Sequence, residues 1–311
     1  MGETMTHEAL QARYAAAVGR LAELAESDPT LIGLYVYGSA QRGDVWSHSD
    51  IDAVFVTVDE SRSWQTHVLV EDGIYIDAEI CSRSHFRKIH ERSLRGSAVH
   101  AIFSSGRLVY AAEPTLKEYL EQAAEIGERD VEFLRLRLAV ELGGSLHLAE
   151  KALAFRSDGV TGFLRIVACV RTRALLELLA HGEPLRRDAV ARACELSPDF
   201  ERLRCAAIAA RDSVDDLLRV HGALKNELRT NADTLLKPVL DYLKEEKRVR
   251  TMFEIHRAVG KRADLSSIGL ALACNELADL GLIERTTHPV RLTKKGRVEF
   301  EEAAYFCGGD S

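Results

Sequence analysis

The 311-residue chain lacks any run approaching about 18 apolar residues, which excludes an apolar helix across a membrane. Its start lacks a basic segment followed by an apolar one, so the expected location is the cytoplasm. No C-x-x-C pair occurs among the six scattered cysteines (Cys81, Cys169, Cys194, Cys205, Cys274 and Cys307). That spacing predicts reduced, structural thiols and no zinc site. Positive charge is also short: 41 Lys+Arg stand against 48 Asp+Glu, a formal net charge of -7. An extended, sequence-independent grip on nucleic acid is thereby disfavoured, because such binding runs on phosphate neutralisation. Internal repeats and low-complexity segments are absent. What remains, 46% hydrophobic and 29% charged residues, is the balance of a globular protein long enough for two or three cores.

Hydrophobic periodicity divides the chain into three parts. Residues 7–26 repeat apolar positions at helical spacing and stop at Ser27-Asp28-Pro29. Strands are predicted over Leu31–Tyr37 and Ile51–Val58, then a hairpin of Val68–Val70 and Ile74–Cys81 around Asp72-Gly73. A helix over Ser84–Leu94 and a strand over Arg107–Tyr110 complete a mixed-sheet domain, residues 1–112. Residues 113–230 carry helical stripes alone, such as Phe133, Leu136 and Val140, and predict a bundle. Residues 231–311 read as helices over Thr234–Lys244, Met252–Val259 and Ser266–Leu280. A two-stranded wing is expected from Leu282–Arg285 and Val290–Leu292, with a last helix starting at Lys294. The fold class is α+β.

The chemistry concentrates in Tyr37-Gly38-Ser39, ten residues of loop, then Asp50-Ile51-Asp52. Glycine at a strand end lets the backbone approach a ligand, and a short helix from Ala40 would aim free N–H groups at a phosphate beside Ser39. Asp50 and Asp52 stand two apart, so a strand turns both carboxylates to one side. Like charges so placed repel unless a cation joins them, and Mg²⁺ suits a few carboxylates plus substrate phosphates. In Tyr75-Ile76-Asp77-Ala78-Glu79-Ile80, Asp77 and Glu79 share a face, and periodicity does not choose between them as a third carboxylate. Glu79 suits an outer position facing solvent, His48 a loop, and Glu141 and Glu150 a solvated helix face. Arg165, Arg171 and Arg173 either hold a phosphate or extend to the surface.

Residues 30–112 resemble the DNA polymerase β-like nucleotidyltransferase superfamily, in particular its aminoglycoside and minimal nucleotidyltransferase branches. The resemblance rests on Gly38-Ser39, Ser49-Asp50-Ile51-Asp52, Ile76-Asp77-Ala78 and Gly106-Arg107-Leu108-Val109-Tyr110. It implies catalytic and metal-binding roles for Asp50, Asp52 and Asp77, with one or two Mg²⁺ ions. It also implies nucleotide binding by Gly38, Ser39, Arg42 and Ser49. The expected reaction moves a nucleoside monophosphate, AMP from ATP, onto a hydroxyl of a small, aminoglycoside-like acceptor, with release of pyrophosphate. The alternatives are transfer to RNA or protein, or a nucleotide-sensing DNA-binding regulator.

Leu277–Arg285 and Leu292–Arg297 resemble the third helix and wing of winged-helix proteins, over residues 233–306. From Lys244 to Phe300 there are 12 Lys+Arg and 8 Asp+Glu, a local surplus that suits DNA. The helix that would enter the groove offers Ser266, Ser267 and Asn275 but no Lys or Arg, which argues against base readout. Its apolar face suits the helical domain or a second copy, so the expected partners are the nucleotide, its acceptor and a homodimer.

Overall fold

The computed structural model describes residues 6–58, 64–93, 106–124, 128–186, 188–293 and 295–308; of residues 42, 89–93, 119 and 122–124 only the backbone is described. The chain forms two compact units, Met1–Gly127 and Glu128–Ser311. Among the described residues no helix is long and apolar enough to cross a membrane.

The first unit opens with helix α1, His7–Ser27, whose N-terminus is capped by the Thr6 hydroxyl accepting from the Ala9 N–H. Its buried stripe (Leu10, Tyr14, Ala17, Val18, Leu21, Ala25) recurs at helical spacing. Strands β1 (Leu31–Tyr37), β2 (Ile51–Thr57), β3 (Gln65–Glu71), β4 (Ile74–Ser82) and β5 (Arg107–Ala111) form one mixed sheet. Its order is β3-β4-β2-β1-β5, with β2 parallel to β4 and the other pairs antiparallel. Between β1 and β2 lies the short helix α2, Gly38–Arg42; α3 (Arg83–Ser93) and α4 (Pro114–Ala124) follow β4 and β5.

Alternation along the strands sorts side chains onto two faces. Leu34, Val36, Ile51, Ala53, Ile76 and Ala78 pack against α1. Ile32, Tyr35, Val54, Val56 and Cys81 face the other way and are covered by Phe86 of α3 and Leu116 of α4. The predicted hairpin is present: Asp72 and Gly73 both have positive φ, 50° and 71°, as a two-residue turn of this twist requires.

The second unit is helical, with a small sheet near its end. The long α5, Glu128–Glu150, runs into a single π-helical turn, Lys151–Phe155, and α6 is Gly159–Ala180. Three helices complete the bundle: α7 (Ala189–Leu196), α8 (Pro198–Ala209) and α9 (Val214–Thr230). Ser197 and Ser213 cap the last two through their hydroxyls. Arg173 is not a surface group: it bridges Glu177 and Glu227, each at 2.5 Å, and ties α6 to α9. Glu150 pairs with Lys225 at 3.1 Å and Glu141 with Arg137 at 3.0 Å, while Arg165 and Arg171 are exposed.

Beyond α9 come α10 (Ala232–Leu235), α11 (Lys237–Glu246), the short strand β6 (Arg250–Thr251) and α12 (Met252–Ile255). Then follow α13 (Ser267–Asp279), β7 (Glu284–Val290) and β8 (Phe300–Phe306). These elements share one core with the first turns of α5. Phe133, Leu136 and Val140 pack with Leu240, Leu243, Ile255, Leu270 and Leu277. The apolar face of α13 is thus covered within its own unit. Arg262 lies over the Phe133 ring at 4.2 Å and reaches Asp130 at 3.2 Å.

Two expectations about this region are corrected. The partner of β7 is Phe300–Phe306, not Val290–Leu292. No helix continues from the residues after Lys294, itself outside the described residues: 300–306 is the central strand of the order β6-β8-β7. Glu-Glu-Ala-Ala favours a helix locally, but pairing on both edges and the burial of Ala304 and Tyr305 override it. The Tyr305 hydroxyl donates to Asn275 Oδ1 on α13 at 3.0 Å, which locks the strand against the helix.

Leu136 is fully buried where α5 meets the C-terminal elements. Leu136→Ala should destabilise the second unit by about 2–5 kcal/mol, read by chemical denaturation. Burial pushes the Cys169 and Cys274 thiols up to about 12, and burial with Glu79 nearby does the same to Cys81. Maleimide labelling at neutral pH should therefore modify the exposed Cys205 in the native protein and these three only after unfolding.

Candidate active site

Strand direction brings the motif residues to one end of the first sheet. Because β1 runs antiparallel to β2, with Tyr37 opposite Asp52, the turn after β1 lies beside the start of β2. Because β2 is parallel to β4, with Asp52 opposite Asp77, two carboxylates on adjacent strands share a face. Neighbouring strands stand about 4.8 Å apart. Glu79 is one pair further in, opposite Val54. Its carboxyl is held above the usual range by burial first, then by the charges of Asp77 and Asp52. Asp52, Asp77 and Glu79 are therefore one electrostatic group. Asp50 precedes β2 and is exposed; burial raises the Tyr14 phenol above its ordinary pKa against the opposing pull of Arg13, and the Asp50 charge adds to the rise.

Gly38 has φ of 77°, a left-handed conformation costly for other residues. A Cβ there would also land on the Asp52 Oδ2 atom, well inside contact distance. Glycine thus lets the turn after β1 close onto the carboxylate. The turn continues as α2, ended by Gly43 in the left-handed region with its N–H donating to the Ser39 carbonyl. Ser39 is half-buried, and the Arg42 side chain lies outside the described residues.

Helix α1 fixes the loops around this end. Gln11 donates to the Gly43 carbonyl at 2.6 Å. The Tyr14 hydroxyl donates to the carbonyls of Trp46, at 3.3 Å, and Ser49. The Ser49 hydroxyl accepts from the Trp46 N–H at 3.1 Å, closing the turn that leads into Asp50. The His48 ring lies tilted against Trp46, centroids 4.6 Å apart, and bonds Ser47, a loop role. Arg20 holds Glu71 at 2.5 Å and Arg13 holds Asp72 at 3.2 Å, so the β3–β4 turn is anchored to the same helix. Sequence reasoning missed Tyr14 as a loop anchor. It stands in α1's apolar stripe, and periodicity reports its ring and not its hydroxyl.

Among the described residues, no three His, Cys, Asp or Glu side chains converge closely enough to enclose a metal ion. The donor set still fits Mg²⁺, which is held by one or two carboxylates and completes its shell with water and phosphate oxygens. Asp52 and Asp77, in register, supply such an open pair of hard oxygen donors.

Comparison with known proteins agrees with this geometry. Residues 20–115 match the family model described as Polymerase beta, Nucleotidyltransferase. No curated protein matches the sequence. Among solved structures, a nucleotidyltransferase-like protein from Exiguobacterium sibiricum is similar, at 16% identity and a TM-score of 0.65. The match covers 95% of this chain and 99% of that one, a likeness of fold. The segment that carries Gly38, Asp52 and Asp77 is thus similar to nucleotidyltransferase domains of the polymerase β type.

Proposed function

We propose that this protein is a Mg²⁺-dependent nucleotidyltransferase. It would move a nucleoside monophosphate, AMP from ATP, onto a hydroxyl of an acceptor and release pyrophosphate. The observation that carries this reading is the closure of the Gly38 turn on Asp52, with Asp77 in register on the next strand. The Gly38 backbone and Ser39 would hold the β- and γ-phosphates, as free N–H groups at a strand-to-helix turn can. Asp52 and Asp77, with Asp50 at the strand entry, would hold the metal. When bound, the metal would neutralise charge on the triphosphate and on the departing pyrophosphate. Asp77 would take the proton of the acceptor hydroxyl as that oxygen bonds to the α-phosphorus. The bond from the α-phosphorus to the bridging oxygen then breaks, and its electron pair leaves with pyrophosphate.

The regulator alternative gains nothing from α13. Its exposed side chains include Ile268, Leu272 and Asp279, and no cation. The nearby Arg285 is occupied by Asp279 at 2.8 Å and Asn275 at 3.2 Å.

Pyrophosphate release from each ribonucleoside triphosphate, with Mg²⁺ and a panel of hydroxylated acceptors, tests the reading. A metal contact contributes several kcal/mol to the transition state, so Asp52→Asn and Asp77→Asn should each lower turnover by about 10³-fold. Both should keep the wild-type circular dichroism spectrum, and undiminished turnover would reject the assignment. Gly38→Ala should lose transfer and about 1–3 kcal/mol of stability, since it strains the backbone and displaces Asp52. A gel-shift assay with duplex DNA at low salt should show no retention; a salt-sensitive shift would restore the regulator.

A further inference from the structure

The row of side chains that holds the carboxylates continues past Asp77. Strand β3 pairs antiparallel with β4, placing Val68 opposite Asp77, Val70 opposite Tyr75 and Thr66 opposite Glu79. Residues so paired share a face, so Tyr37, Asp52, Asp77 and Val68 form one line across four strands. The outer end of that line is apolar and open: Val68 is 70% exposed, Val70 60% and Tyr75 64%. Helices α3 and α4 cover the neighbouring Val54, Val56 and Cys81, and neither core of this unit includes a β3 residue. Edge strands are ordinarily blunted by charge, by proline or by a bulge. Here the pairing runs without a bulge, and the face beside the carboxylates carries valines.

The sheet order gives this surface a place in the reaction, if the proposed nucleotidyl transfer is right, on which this inference rests. In-line displacement sets the incoming oxygen opposite the departing pyrophosphate. The turn assigned to the departing phosphates follows β1, on one side of Asp52 and Asp77; β3 lies on the other. The acceptor therefore arrives over β3 and the start of β4. We propose that Val68, Val70 and Tyr75 bind the acceptor, and that its hydroxyl is carried on an aromatic or aliphatic framework. A polyhydroxylated amine of the aminoglycoside type would lay hydroxyl and ammonium groups on apolar side chains that offer no hydrogen bonds, at a desolvation cost. An aromatic or alkyl alcohol buries its framework there and leaves only the reacting hydroxyl at Asp77.

Transfer from radiolabelled nucleoside triphosphates decides the matter. The full-length protein would be given 2-naphthol, tyramine and 1-octanol in one arm, and glucosamine and kanamycin in the other. The expected result is an adduct with the apolar-framework alcohols at a kcat/KM about tenfold or more above that for the amino sugars. Val68→Thr with Val70→Thr keeps β-branching on the edge strand, so folding is preserved. It should raise the acceptor KM about tenfold while the nucleotide KM stays within about twofold. Equal or better transfer to the amino sugars, or an unchanged acceptor KM in the double variant, overturns the acceptor assignment and leaves nucleotidyl transfer standing. No adduct with either arm rejects the proposed nucleotidyl transfer, and the acceptor assignment falls with it; full activity in Asp77→Asn rejects the placement of the reacting hydroxyl at Asp77 and with it the surface beside that residue.

Discussion

The acidic end of the first sheet depends on the parallel pairing of β2 with β4. Register fixes which side chains share a face, and a slip of one residue would turn Asp77 into the α1-packed core and bring Ile76 or Ala78 beside Asp52. The pairing is held because Ile51, Ala53, Ile76 and Ala78 fill the space under α1. The same packing that stabilises the sheet therefore aligns two carboxylates that repel each other. Glu79, one pair further in, is held above the usual carboxyl range by burial first and then by the charges of Asp77 and Asp52.

Around this line of residues the molecule uses one helix for several tasks. Helix α1 covers one face of the sheet, and through Gln11 and Tyr14 it holds the loop that leads from α2 into Asp50. Through Arg13 and Arg20 it holds the β3–β4 turn. These ion pairs are partly exposed and contribute little stability by themselves. Their effect is positional: they fix where the backbone turns at both flanks of the carboxylates. The second unit has its own organising element in α5, whose N-terminal half is the shared wall for the C-terminal helices and the β6-β8-β7 sheet.

Much of this was legible in the sequence. Strand β1 spans Leu31–Tyr37 as the apolar run indicates, and the Asp-Gly pair marks the hairpin turn. Helix α13 begins after Ser266 and ends before Gly281, as capping and glycine rules require. The last strand was not legible. Its Glu/Ala composition points to a helix, and only pairing with segments some fifteen and fifty residues away, β7 and β6, makes it extended. Arg173 was equally opaque, because the carboxylate of Glu227 that neutralises it arrives from another helix.

Sequence by itself determined which residue types are available: a glycine at a strand end, two aspartates spaced for one face, and a further strand with two acidic residues on one face. These are local facts, set by spacing and backbone preference. Tertiary structure decided which of them meet. Period two makes Asp77 and Glu79 equivalent, whereas register sets Asp77 opposite Asp52 and Glu79 opposite Val54. It also decided that Val68 and Val70 of β3 face open space next to the carboxylates instead of a core. Strand order and register are long-range quantities, settled by which faces can be buried together, and no window of the sequence contains them.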